Sequence, residues 1–382
     1  MANILNNLAA DLYKAADVVG RELTGAVSSV IVNGDGSERV ALNDIVRSHF
    51  TRQPSASSSI TPSMTIPEGT DQTVDSKTIS ITKAQSIQIP WTGEDIKSVN
   101  NGSGFGTIYG DQVAQAMRTL ANEIEADLCT ELYQNASRAF GTAGTTPFGS
   151  NFDEVAELRQ ILVDNGCPAD QITMVLNTSA GTNLRNLANL QKVNESGGSS
   201  LLRQGVLLDL QGLGVKESAG IQAHTKGTGA GYLVNNGAGI LVGGTTIAAD
   251  TGAGTILAGD VVTFAADANN KFMVNTALGG GSFAIGENGA QVAIADNNAI
   301  TVGSSYAANL AFRRTAAELV IRAPAVPGGE DQAGKGMIIH DPWSGLTFEV
   351  RAYKGYRKAM FEVACAWGVK AWKPEHIAVL LG

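Results

Sequence analysis

The sequence has little charge and few aromatic rings for its length. Lys, Arg, Asp and Glu make up 16% of the 382 residues, and Phe, Tyr and Trp make up 6%. A monomer of this composition exposes large low-charge surfaces to water, whereas the subunits of an assembly bury such surfaces against one another. The composition therefore favours a protein that assembles. An ordinary acidic cytoplasmic protein is the alternative that composition leaves open.

Cysteine and histidine are too few and too scattered to form most metal or redox sites. Cys129, Cys167 and Cys365 lie far apart without a CxxC pair, which argues against a disulfide framework and against a zinc site. The 4 histidines fall in different segments, with no HxxxH or HExxH motif. We expect no metal and no cofactor.

Positive charge is also scarce, since the formal net charge is −9 at pH 7. The chain therefore lacks the basic footprint of a nucleic-acid-binding protein. The first residues contain no basic segment followed by an apolar one, so we expect no signal peptide. No stretch approaches the ~18 consecutive apolar residues of a membrane-spanning helix. We expect a protein that is made in the cytoplasm and has no membrane partner.

Two short motifs resemble catalytic or nucleotide-binding signatures, and neither has the context that its chemistry needs. The Asp-Thr-Gly triplet at 250–252 matches the aspartic-protease triplet but lies in a glycine-rich stretch, where it is ordinary turn chemistry. Gly227, Gly229 and Gly231 imitate part of a phosphate loop without the strand and helix that flank one. We expect no enzyme, with a hydrolase that uses Asp250 as the alternative to test. An extracellular adhesin would need an export signal.

The stretch 107–136 predicts one long helix, about 25 residues or roughly 38 Å long. Asp111 is placed to cap its N-terminus, and Cys129 lies off its apolar face, toward a neighbouring segment or subunit. The apolar face repeats at intervals of three and four residues: Val113, Met117, Leu120, Ile124, Leu128 and Leu132.

Two segments on the N-terminal side predict surfaces for other chains. Residues 3–23 predict an amphipathic helix that packs on its own chain or on a partner. Residues 38–92 contain two strand patterns joined by a Pro- and Ser-rich stretch, which favours a protruding finger over a plain hairpin on a sandwich. The candidate assembly residues lie in this finger: Met64, Pro67, Ile79, Ile81, Lys83, Ile87 and Ile89.

The remaining chain predicts an α+β protein. Helix 152–165, strand 172–177 and a helix capped at Thr178 or Ser179 indicate helices packed on a sheet. Residues 220–304 are rich in glycine and contain short strand patterns at regular spacing, which predicts an inserted antiparallel barrel or sandwich. Residues 345–353 and 360–372 read as strands, and 373–382 are expected to join the same sheet.

The order of these parts resembles the HK97-type shell fold of tailed-phage major capsid proteins, and within it the coat protein family of the short-tailed Salmonella phage. The similarity covers nearly the whole chain and is weakest in 1–50 and in the insertion. The similar stretches are ITPSMTIPEGTDQTV, IQIPWTGED, QVAQAMRTLANEIEADL, RAFGTAGTTPFG, RQGVLLDLQGLGVKESA and WGVKAWKPEHIAVLLG.

The resemblance implies a domain for each part of the chain. These would be an N-terminal arm (1–37), an extended loop lying across a neighbour (38–92), a peripheral domain with the spine helix 107–136 (93–150), an axial and peripheral α/β region (151–219), an inserted β domain (220–304) and a return to the axial and peripheral domains (305–382).

The resemblance also implies a function. The chain would be a major capsid protein that self-assembles as hexamers and pentamers into an icosahedral shell. It would assemble with scaffolding protein and portal protein in the bacterial cytoplasm and mature from a procapsid into the virion. The shell would enclose double-stranded DNA without sequence-specific binding, which suits an acidic chain. The alternative within the same fold is an encapsulin-like nanocompartment shell.

Overall fold

The computed structural model describes residues 25–51, 59–66, 74–100, 105–192, 209–327, 336–341 and 344–382. The helix expected over 3–23 and the candidate Pro67 lie outside these residues. The fold is α+β and mostly strand. The helices are α1 Gly93–Asn100, α2 Phe105–Gln134, α3 Asp153–Asp164, α4 Thr178–Asn186 and α5 Ala188–Gln191, with 3-10 turns at Val27–Ser29, Arg314–Ala316 and Pro374–His376.

The strands form two large sheets and one separate pair. They are β1 Ile31–Val40, β2 Ile45–Thr51, β3 Val74–Ser80, β4 Lys83–Thr92, β5 Arg138–Gly141, β6 Ile172–Leu176, β7 Gly214–Glu217, β8 Ala223–His224, β9 Tyr232–Val234, β10 Thr246–Asp250, β11 Val261–Phe264, β12 Asp267–Gly279, β13 Ser282–Ile285, β14 Ala299–Val302, β15 Tyr306–Arg313, β16 Ala317–Pro324, β17 Met337–His340, β18 Thr347–Gly355, β19 Lys358–Ala371 and β20 Ile377–Leu381.

Helix α2 is the long helix that the sequence predicts, and its buried face is wide. The six residues of the predicted apolar face are each at most 1% exposed. Ala121 lies within this face, and Ala116 and Cys129, which flank it on opposite sides, are also buried. One core joins α2 to side chains of both large sheets. The helix therefore lies between two layers of β structure.

The predicted cap at Asp111 is wrong, because α2 begins earlier, at Phe105. Asp111 is an exposed residue within the helix. Tyr109 lies one turn before Val113 on the buried face and is 3% exposed. Because Tyr109 packs in the main core, the buried face of the helix extends to the N-terminal side of Asp111.

The first large sheet has the order β1-β16-β19-β18-β17, and β4 also pairs with β19. Its strands come from both ends of the described chain, because β1 and β4 pair with C-terminal strands. Val363, Cys365 and Trp367 of β19 face α2 in the main core. A small second cluster with Val320 and Ala366 covers part of the opposite face.

The C-terminal strand β20 belongs to the second large sheet, so its predicted place beside β18 and β19 is wrong. It pairs with β15 and β5, next to β6 and β7. The residues of β20 are buried on both faces, with Val379 toward α2 and Leu380 in the core with α3 and α4. A strand covered on both faces carries no polar alternation to indicate which sheet it joins.

The glycine-rich stretch 220–304 contains a closed six-stranded barrel with a core of its own. The strands pair in the order β11-β14-β9-β10-β13-β12, and β12 returns to β11, with every pairing antiparallel. Phe264, Phe272 and Phe283 are among the side chains that fill it. Strand β12 also pairs with β5, which joins the barrel to the second large sheet.

The position of α2 between two β layers predicts a high free-energy cost for any void along its buried face. We expect Leu128→Ala to lower the free energy of unfolding by about 2–5 kcal/mol, since Leu128 is fully buried and neither neighbouring sheet can collapse onto the gap. Urea unfolding of the unassembled chain measures this. Asn122→Ala, on the exposed face of the same helix, is the matched control and should change stability by less than about 0.5 kcal/mol. Equal shifts for the two variants would contradict the central position of α2.

Candidate assembly surfaces

Strands β2 and β3 form a hairpin that stands apart from both large sheets. They pair antiparallel from Ile45↔Ser80 to Thr51↔Val74 and have no other strand neighbour among the described residues. The described part of the connection between them, 59–66, is exposed at every residue. We call 59–66 the tip segment. Ile60 is 100% exposed and Ile66 is 88% exposed, which is large apolar surface for a chain to leave in water.

The candidate assembly residues divide between this surface and the interior. Met64, in the tip segment, is fully exposed. Ile79 and Ile81 are buried in the cluster with Val320 and Ala366, so the expectation that they contact a neighbouring subunit is not kept. Strand β3 ends directly over the first large sheet, and the lack of a side chain at Gly368 leaves room for the backbone at 80–81.

The other candidate assembly residues, Lys83, Ile87 and Ile89, lie on strand β4, which belongs to the first large sheet. Ile89 is buried and Ile87 half-buried against the main core, so the isoleucines pack on α2 of their own chain. Lys83 makes an ion pair with Asp127 of α2, with 2.8 Å between Nζ and Oδ1. The other oxygen of that carboxylate accepts a hydrogen bond from Trp367 Nε1 at 2.9 Å. Lys83 therefore fixes β4 to the helix.

A groove of about 480 Å³ runs between β4 and α2. Ile87, Ile89 and Pro90 form one wall, and Gln112 and Gln115 form part of the other. β19 is the only strand that pairs with β4 in the part of the chain that the structure describes. The outer edge of β4 thus offers unpaired backbone groups beside an apolar surface, which is the arrangement that accepts an extended segment.

Glu125 of α2 joins three separate segments by its buried carboxylate, and no sequence pattern indicated this. The carboxylate accepts hydrogen bonds from the amides of Ala26 and Val27 at 2.7 and 2.9 Å, and from the Ser218 hydroxyl at 2.6 Å. Glu125 is 2% exposed. Side chains at Gly25 and Gly220 would collide with it, so these glycines make room for the charge. Residues 25–30 are held against α2 at this point.

The catalytic alternatives find little support in the structure. Asp250 is exposed at the end of β10, and its carboxylate accepts a hydrogen bond from the adjacent Thr251 hydroxyl in a turn. His224 and Asp260 form a pair, 2.8 Å between Nε2 and Oδ1, but they are only 7% and 0% exposed. Asp260 also accepts a hydrogen bond from the backbone amide of Leu257, so the His224–Asp260 pair joins the barrel to β8. Across the described ranges, no three His, Cys, Asp or Glu side chains are grouped to hold a metal ion, and no helix is long and apolar enough to cross a membrane.

Comparison with known proteins gives structural similarities at low identity. No family model and no curated protein matches the chain. A capsid structure of the cyanophage P-SCSP1u is similar over 92% of this chain and 86% of its own, with 12% identity and a TM-score of 0.48. A structure from Mycobacterium phage Che8 is similar over 88% and 84%, with 13% identity and a TM-score of 0.45.

A virus-like particle from Pyrococcus furiosus is similar over 97% of this chain and 98% of its own, with 10% identity and a TM-score of 0.43. The two phage structures and this particle all have TM-scores below 0.5. The surfaces and contacts of this chain alone therefore indicate its function.

Loss of the Glu125 carboxylate should release residues 25–30 from α2. We expect Glu125→Ala to lower the free energy of unfolding on the order of 3 kcal/mol, because it leaves buried amides without an acceptor. Cys129 lies one turn further along α2 and is 1% exposed. In a Cys167→Ala/Cys365→Ala background, labelling of Cys129 by a thiol reagent should become faster. Glu123→Ala, exposed on the same helix, should leave both measurements unchanged.

His376 predicts a loss of stability in acid. Burial, and then the charges of Lys373 and Arg313, lower the pKa of His376 from its usual value of 6.5 to about 4. The unfolded chain therefore binds this proton at a higher pH than the folded chain does. We expect stability to be intact above pH 6.5 and to fall on the order of 1–3 kcal/mol toward pH 4. Thermal unfolding of wild type and His376→Gln across this range measures the effect. The variant should lack most of this slope, and an identical slope in both proteins counts against His376 as the cause.

Proposed function

We propose that the chain is the major capsid protein of a tailed bacteriophage and self-assembles into an icosahedral shell around double-stranded DNA. In this proposal α2 is the spine helix of an HK97-like fold, the β2–β3 hairpin is the extended loop and the closed barrel is the inserted domain. Residues 1–37 are the N-terminal arm, and 151–219 with 305–382 build the axial and peripheral domains.

The exposed tip segment is the observation that carries the proposal. Ile60, Met64 and Ile66 are 88% to 104% exposed at the end of a hairpin that neither large sheet covers. Burying such side chains contributes about 1.5–3 kcal/mol each, which a single chain forgoes. An assembly recovers this free energy when the tip segment of one subunit lies on the next.

The base of the hairpin is fixed in a way that suits such a reach. Arg39, near the end of β1, donates to the carboxylate of Glu349, with 2.9 Å between Nη1 and Oε2. Glu349 is 2% exposed. Val40, which follows Arg39 in β1, packs with Ile79 and Ile81. The direction of the hairpin is therefore set by the first large sheet. A hairpin held at its base presents its tip at a defined position on a neighbouring subunit.

The groove between β4 and α2 is the surface on which we place the incoming tip segment. It combines an unpaired strand edge with Ile87 and Ile89 and contains no buried charge pair that would have to be broken. Repetition of this contact around a ring gives hexamers and pentamers. Scaffolding protein and portal protein are the further partners of this proposal. The net charge of −9 allows DNA to be enclosed without being held tightly.

Expression of the full chain with its scaffolding partner, followed by negative-stain microscopy and sedimentation, tests the proposal. Wild type is expected to form closed, uniform shells. Ile60→Ser/Met64→Ser/Ile66→Ser should stay a folded monomer and reduce shell yield at least tenfold, since about 4–9 kcal/mol of apolar burial per subunit is lost.

Val163→Ser is the matched control, because Val163 is 48% exposed on α3 and far from the hairpin in the sequence. It should assemble as wild type does. If the wild-type chain remains a small monodisperse protein with scaffold present, the hydrolase hypothesis is favoured instead. Asp250 is then the next residue to change. Shells that close without scaffold and never contain DNA favour the nanocompartment alternative.

A further inference from the structure

A concentrated basic turn stands out on this acidic chain. The end of β18, the two-residue turn after it and the start of β19 read KGYRK at 354–358, and every residue in this stretch is exposed. Lys354, Arg357 and Lys358 bring three cations together, and Tyr356 between them is 88% exposed. The role of the tip segment and its groove leaves this turn unexplained. We call 354–358 the basic turn.

The basic turn is held in one conformation against the start of α1. Arg357 has a φ of 57°, in the left-handed region where glycine is the favoured residue. Its guanidinium lies 5.7 Å from the centre of the Tyr356 ring, and its carbonyl accepts the amide of Gly93 at 3.0 Å. The left-handed residue and the hydrogen bond to Gly93 together define the shape of the turn.

Acidic side chains lie on the other side of the same hollow. Helix α1 begins Gly93-Glu94-Asp95, and Glu94 and Asp95 are both exposed. Asp95 is fixed by the Thr92 hydroxyl at 2.5 Å, which lowers the pKa of its carboxyl. The hollow, of about 660 Å³, is lined by Glu94 and Ile96 on one side and by Tyr356, Arg357 and Lys358 on the other. One surface therefore carries both signs of charge.

We propose that the basic turn of one copy contacts the acidic start of α1 on a second copy of this chain. Charges of both signs on one surface favour a contact in which each copy offers its turn to the next. Such a contact fixes the orientation and register of neighbouring subunits, and its strength falls with salt. This inference rests on the proposed shell function and adds a second, electrostatic contact to the apolar one at the tip segment.

Two charge reversals test the contact, alone and mixed. Lys358→Glu places a carboxylate in the basic turn, and Glu94→Lys places a cation at the acidic start of α1. Each variant alone should lose at least about tenfold in shell yield at low salt, because residues 358 and 94 of neighbouring copies then carry like charges. Mixed in equal amounts, the two variants should co-assemble, since positions 358 and 94 carry opposite charges wherever a copy of one variant lies beside a copy of the other.

Rescue in the mixture identifies a contact between copies. If only the chain that carries both substitutions assembles, the charges act within one subunit and the inference is overturned. If Lys358→Glu assembles normally but binds less to a double-stranded DNA column than wild type does, the turn is a polyanion site and the inference is also overturned. If wild type forms shells but the mixture of variants does not, this contact alone is rejected. If wild type itself forms no shells, the proposed function is rejected and the contact with it.

Arg357→Gly separates contact from folding. Glycine adopts the left-handed conformation without strain, so the melting temperature should be unchanged or slightly raised. Shell yield at low salt should nevertheless fall several-fold, because one cation of the turn is lost. A variant that assembles as well as wild type in low salt contradicts a role for the Arg357 charge.

Discussion

The position of the long helix between two β layers is the constraint on which the rest of the structure depends. A helix with one buried face can turn its polar side chains to water. Helix α2 lies between two β layers, so polar residues on its flanks must find partners inside the protein. Glu125 meets the segment at 25–27, and Asp127 meets Lys83 and Trp367. Each of these carboxylates fixes a part of the chain that is remote in sequence.

The arrangement of the finger follows from the same constraint. Strand β4 is tied to α2, whereas the β2–β3 pair precedes Ile81, which packs against the first large sheet. The anchored part and the extended part of 38–92 are therefore distinct. The proposed function uses both, since one subunit offers the extended tip and another offers the groove beside the anchored strand.

The sequence predicts those parts of the fold in which a regular local pattern of apolar residues corresponds to one buried face. The apolar repeat from Val113 to Leu132 is a local signal and predicts α2 well. The spacing of glycines and short apolar runs likewise predicts a small antiparallel unit in 220–304. Closure of that unit depends on the pairing of β11 with β12, which follows from the register of the strands and not from their composition.

Sequence patterns predict elements better than they predict the partners of those elements. Alternating isoleucines in 79–89 indicate a covered face, but the pattern is the same whether the cover is a neighbouring subunit or the chain's own core. Strand β20 is apolar throughout, so nothing in it selects one sheet over the other. The donors to Glu125 lie 98 and 99 residues away along the chain, beyond the range of any local pattern.

The closed barrel has a consequence for a protein present in many adjacent copies. An open sheet of six short strands has two free edges, and free edges of identical chains at high local concentration pair with one another. The ring formed by β9 to β14 has no such edge, because β11 and β12 complete it. In the proposed shell, a glycine-rich unit with few charges is thereby kept from pairing with the same unit of an adjacent copy. Closure prevents the barrels of two copies from pairing through their strand edges. Specific contacts between copies are then left to other parts of the chain.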